Sequence, residues 1–146
     1  MFTSKDLGII DPLTAVSGKP EVYFGYKVVR SWMLASKLVE DALVLGVSPV
    51  TVITQPGDWT TVAGSADWTV VGPGAELPTA DLFRYMIAFN EAGIDAFRHE
   101  ILVTAFARDV FVVRKADVLK IKGEADAALA RAVASAWPFS INFRCP

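Results

Sequence analysis

The stretch Asp58-Trp59-Thr60-Thr61-Val62-Ala63-Gly64-Ser65-Ala66-Asp67-Trp68-Thr69-Val70-Val71-Gly72 decides how the chain is read, because it repeats itself: Asp-Trp-Thr-Thr-Val-Ala-Gly is followed by Asp-Trp-Thr-Val-Val-Gly. Both copies are rich in β-branched residues and end on glycine, so they read as paired antiparallel strands, Trp59–Ala63 and Trp68–Gly72. Two copies are too few for a solenoid or propeller. The loop between them sets the positions of the indoles. A two-residue loop at Ser65-Ala66 places Trp59 and Trp68 on one face, and a three-residue loop places them on opposite faces. Indoles on both faces would mean a sheet covered on two sides.

Outward from this hairpin, Val50–Thr54 adds a strand and completes a three-stranded meander. Upstream, a helix is expected from Ser31, as N-cap, to Leu45, with Gly46 as its stop. At about 100° per residue, Ser36, Lys37, Glu40 and Asp41 share one polar arc, and Trp32, Leu34, Ala35, Leu38, Val39, Ala42, Leu43 and Leu45 fill the rest. A helix this apolar needs cover on most sides, from a sheet and another helix or from a second subunit. Val22–Arg30 suits a strand, with a helix as the alternative because Gly25 interrupts it. Residues 1–20 read as an extended N-terminal arm, and 21–146 as a single α+β domain.

Downstream, Thr79 caps a second expected helix that runs to Ala92 and closes at Gly93. A second meander follows, Glu100–Phe106, Val110–Arg114 and Val118–Lys122. An alanine-rich helix, Glu124–Ala136, is stopped by Pro138, and Ser140–Arg144 alternates as a terminal strand. The expected architecture is therefore α+β, with a largely antiparallel sheet from two three-stranded meanders and three helices in the order α-βββ-α-βββ-α. That order, with small size and acidity, is similar to the arrangement of type III secretion chaperones, small acidic dimers that bind unfolded effector segments. The chain departs from them in having some 30 residues before its first helix and a high hydropathy.

Composition points to association. The 146 residues are 53% apolar and 11% aromatic, with four tryptophans and 21% charged residues, and the mean hydropathy is +0.39. The length suits one domain. The longest uncharged stretch, Ala42–Gly57, is broken by Gly46, Pro49 and Pro56, so no membrane span is expected. Lys5, Asp6, Asp11 and Pro12 stand where a secretory signal would be apolar. With a single cysteine, Cys145, the chain reads as cytoplasmic. A net charge of −2 gives no general attraction to phosphate, and Arg114, Lys115, Lys120 and Lys122 read as a solvated face or guarded edge, so nucleic acid is not expected as a partner.

The densest polar segment runs from Asn90 to Glu100 and holds the single histidine. Glu91, Asp95, Arg98 and His99 are the candidates for acid–base chemistry with an anion anchor. In an extended segment Arg98 and Glu100 would share a face as a surface pair, with His99 on the other. Neither His99 nor Cys145 has a neighbour at zinc spacing, and Val71–Glu76 lacks the lysine and glycine spacing of a phosphate loop, so neither metal nor cofactor is expected. The expected function is a non-catalytic interaction or assembly module of chaperone, immunity or structural-component type. It would self-associate through apolar helix or sheet faces as a dimer or higher homo-oligomer and also hold a protein partner, with Trp32, Leu38, Trp59, Trp68, Phe83 and Ile87 as the interface residues. The alternative is a small enzyme or ligand-binding protein with its pocket near Glu91, Asp95, Arg98 and His99.

Overall fold

The structure, a computed structural model, describes residues 11–115 and 117–146. Its helices are α1 (Pro12–Ser17), α2 (Pro20–Phe24), α3 (Ser31–Val44), α4 (Thr79–Leu82), α5 (Glu100–Phe106) and α6 (Ala127–Ala136). Its strands are β1 (Val50–Thr54), β2 (Trp59–Gly64), β3 (Asp109–Arg114), β4 (Asp117–Lys122) and β5 (Phe139–Arg144). The fold is α+β with one five-stranded antiparallel sheet in the order β1-β2-β5-β3-β4. The two expected meanders are thus two hairpins, β1–β2 and β3–β4, joined by the strand that comes last in the chain. The order that carried the likeness to type III secretion chaperones is not the one observed.

The third strand of the first meander is absent because residues 68–72 take another route. Asp67 accepts the Thr69 backbone N–H at 2.9 Å through Oδ1, which winds Trp68–Val70 into a 3-10 turn, the local side-chain competition that aspartate offers against a ladder. The free edge of β2 is taken by β5, with Trp59 opposite Arg144 and Gly64 opposite Phe139. Trp68 instead turns inward against Phe139, with ring centroids 4.7 Å apart. Its ring lies so close to Gly64 that an added Cβ there would sit 2.9 Å from Cζ3. The glycine that ends the first copy of the repeat is therefore required by the tryptophan of the second.

Three other expectations are corrected. Val22–Arg30 forms no strand, since α2 ends at Phe24 and Gly25 takes a left-handed φ of 76°. The helix expected over Thr79–Ala92 stops after Leu82. Beyond it the chain folds on itself, with the Arg98 N–H on the Ile87 carbonyl at 2.7 Å and the Phe89 N–H on that of Ala96 at 2.8 Å. This arrangement keeps Phe83 and Phe89 both fully buried. Glu100–Phe106, expected as a strand, is α5. Every residue from Glu100 to Thr104 is buried, so no exposed face interrupts the apolar run to reveal a helical period. Of the expected extended arm, residues 1–10 lie outside the described residues, and Pro12–Ser17 is helical with Val16 in the core.

The sheet is covered on both faces. On one, α1, α3 and α5 pack Val16, Leu34, Leu38, Ile101 and Leu102 against Val62, Val110, Val112, Ile141 and Phe143. On the other, α6 packs Leu129, Ala130 and Val133 against Trp59, Phe111 and Val113. Trp59 and Trp68 belong to opposite faces. α3 ends as expected at Gly46, where the Val47 N–H reaches the Ala42 carbonyl and the Gly46 N–H that of Leu43, the paired bonds of a Schellman closure.

Candidate functional site

Arg98, His99 and Glu100 mark the entry to α5, and each is committed to the fold. Arg98 is fully buried, as is Glu100. Its Nε and Nη2 donate to the Glu100 carboxylate, Nη1 donates to the carbonyls of Val71 at 3.0 Å and Pro73 at 3.1 Å, and Nη2 donates also to that of Trp68 at 3.3 Å. All five guanidinium N–H groups are thereby used. Three carbonyls of the segment 68–73, which lacks a strand partner, are satisfied by this one side chain: those of Trp68, Val71 and Pro73. Burial pushes the Glu100 carboxyl pKa up, against the pull of the Arg98 cation. The expected surface pair is an interior one.

His99 faces α3. Its Nδ1 lies 2.8 Å from Asp41 Oδ1 and 3.3 Å from the Lys37 carbonyl, while its backbone N–H donates to Asp41 Oδ2 at 2.7 Å. Burial lowers the histidine pKa, but the Asp41 carboxylate more than offsets this, and the net shift is upward. Asp41, assigned by periodicity to the polar arc of α3, is fully buried instead. Glu91 and Asp95 are exposed on the loop between the two short bridging segments. The four acid–base candidates therefore do not share a cavity. None of the clefts described below is lined by Glu91, Asp95, Arg98 or His99.

The expected interface residues separate in the same way. Leu38, Trp68 and Phe83 are buried in the main core and Trp59 in the smaller one, and Ile87 is half-buried against the main core. Trp32 is different: it is 63% exposed at the start of α3. Beside it Tyr26 and Val28 are 61% and 65% exposed, and Met33 forms the buried floor. One groove, of about 480 Å³, is lined by Tyr26, Lys27, Val28, Arg30, Trp32 and Met33. A second, of about 170 Å³, runs along Tyr23, Phe24, Tyr26, Trp32, Met33, Ser36 and Lys37. Tyr26, Trp32 and Met33 line both, so the two grooves form one surface. Leu43, 53% exposed and three helical turns on, extends the bare flank of α3.

Other clefts use their polar groups internally. Arg108 and Arg144 line a cleft of about 260 Å³ with Ser31 and Cys145, but both donate to Asp109 Oδ2 at 2.9 Å. Burial alone would raise the Asp109 pKa; the Glu124 N–H and the two guanidiniums outweigh it and hold the value at about 2. Lys122 lines a cleft of about 340 Å³, and its Nζ donates to the Thr104 and Ala107 carbonyls at 2.8 and 2.7 Å. A bulge at Val110/Phe111 turns Lys122 away from the face it was expected to share with Lys120. By sequence the chain matches no protein-family model and is similar to no curated protein.

Proposed function

We propose that this protein is a non-catalytic, cytoplasmic interaction module that docks a protein partner on the α2–α3 surface, with Trp32 as anchor. The observation that carries this reading is a solvent-exposed tryptophan between two grooves, in a chain whose other tryptophan, arginine and histidine side chains in the sheet and α5 region are used by the fold. Large exposed aromatics rimmed by polar groups mark association sites, and tryptophan is among the residues that dominate binding energy. Affinity capture from the native host, run in parallel with Trp32→Ala, tests it. A partner held by the wild type and lost by the variant is the expected result. An identical set of captured proteins would defeat the reading.

A second reading, self-association, is favoured by β1. The Ser65 N–H bonds to the Pro49 carbonyl and the Gln55 N–H to that of Trp59. With the register of Val50 opposite Gly64 and Thr54 opposite Thr60, these bonds orient the backbone groups of Thr51 and Ile53 towards β2, and those of Val50, Val52 and Thr54 outward. β1 carries no charge, whereas the opposite edge, β4, carries Lys120, Lys122 and a bulge that guard it. Pairing of two β1 edges would make a dimer through a continuous sheet. Light scattering at micromolar concentration that shows only monomer would remove this reading and leave the first intact.

A further inference from the structure

The charges around Trp32 all have one sign. Lys27 and Arg30 line the larger groove and Lys37 the smaller, and no carboxylate lines either. Among the described residues none of the three is ion-paired, whereas Arg98, Arg108, Arg114 and Arg144 all are. This cluster sits on a chain whose net charge is −2, so it is a local reversal of the molecule's overall sign.

Three occupants are conceivable for such a surface, and the geometry separates them. A second copy docked by the same face about a two-fold axis would bring Lys27, Arg30 and Lys37 against their own equivalents, and like charges in juxtaposition oppose association. An anionic lipid surface would match the charge, but lipid is entered by a protruding apolar element. Here the apolar side chains wall two concavities, the larger within the roughly 300–1,000 Å³ typical of ligand clefts. A concave apolar floor with a cationic rim fits a protein segment that inserts apolar side chains and carries carboxylates beside them.

We infer that the partner docked at Trp32 presents an acidic segment, with aliphatic or aromatic side chains seated in the two grooves and Asp or Glu residues facing Lys27, Arg30 and Lys37. This inference rests on the interaction reading above and specifies its chemistry.

Selection from a random peptide library displayed on phage, using the full chain and Trp32→Ala in parallel, tests both levels separately. Peptides enriched only on the wild type should combine apolar residues with an excess of Asp and Glu. Individual selected peptides, titrated by the part of the change in tryptophan emission that Trp32→Ala lacks, should weaken by about tenfold or more in Lys27→Glu/Arg30→Glu. They should also weaken as salt rises and shortens the screening length. All three positions are exposed or half-exposed, so melting curves of these variants should superimpose on the wild type and show that the fold is kept. Trp32-dependent peptides without acidic excess, or indifferent to the charge reversal, would overturn the acidic inference while leaving the docking surface standing. Absence of any Trp32-dependent peptide would remove both. Trp32-dependent sedimentation with phosphatidylserine vesicles, in place of peptide binding, would overturn the inference in favour of a lipid surface.

Discussion

Trp68 and Trp32 each sit beside arginine, yet their surroundings differ in what remains unsatisfied. Around Trp68 every donor of Arg98 has an acceptor, Glu100 neutralises its charge, and all three side chains are out of solvent, the Trp68 indole N–H alone being left without an acceptor. Around Trp32 the ring is bare and the three cations have no carboxylate among the described residues. An aromatic and an arginine together are therefore no sign of function; the sign is whether the chain itself covers the ring and neutralises the cation.

The contrast can be broken at several points. The largest effect is expected at Glu100→Ala, which leaves Arg98 charged and buried and should lower the unfolding free energy by about 3–5 kcal/mol in denaturant titrations. A loss below about 1 kcal/mol would show that this pair is not the sealed element described. Asp109→Asn should cost about 2 kcal/mol at neutral pH, from its displacement between 3.8 and about 2. Because the folded-state pKa is the lower one, that contribution is full above pH 4 and fades as pH falls towards 2. Wild-type and variant stabilities should therefore converge in acid.

His99 gives a smaller effect of opposite sign. Its folded-state pKa is raised, so the stabilisation is complete below about pH 6.5 and is lost as pH rises through the folded value. Asp41→Asn should flatten that part of the stability profile, as followed by thermal melts between pH 5 and 9. Least of all is Trp32→Ala, expected within about 0.5 kcal/mol of wild type because its ring is already in water. A cost comparable to that of Glu100→Ala would place Trp32 in the fold and erase the distinction between the two regions.

Elements whose pattern is local were legible in the residues. β1, α3 and its Schellman stop, the β3–β4 hairpin, α6 and β5 lie within a few residues of where alternation, caps and turns place them. What escaped was set by distant partners. Trp68–Gly72 has the same composition as Trp59–Ala63, and nothing near it announces that β5 will occupy the edge it would have used. Asp67 was the available clue, since an aspartate ahead of a Trp-Thr pair can cap a turn as readily as it can precede a strand. The helix over Thr79–Ala92 failed because its greasy sides, Phe83 and Phe89, are served better by a folded-back loop than by a helix. Of the interface residues expected from apolarity, only Trp32 lies largely bare, because apolarity marks what needs cover and is silent on who provides it. His99 was singled out correctly as unusual, but its partner Asp41 lies 58 positions upstream, beyond any local pattern.

The central place of β5 also orders events in time. β2 and β3 each have one neighbour from their own hairpin, and each finds its second only in Phe139–Arg144. Without those residues no hydrogen-bonded ladder would join the two hairpins or hold them in register. Closure then requires Trp59 to meet Arg144 and Asp109 to meet the same residue from the other side, contacts of long sequence separation that are slow to form. The inner edges of β2 and β3 are thus protected from wrong pairing only by β5, so the integrity of the whole sheet hangs on one strand.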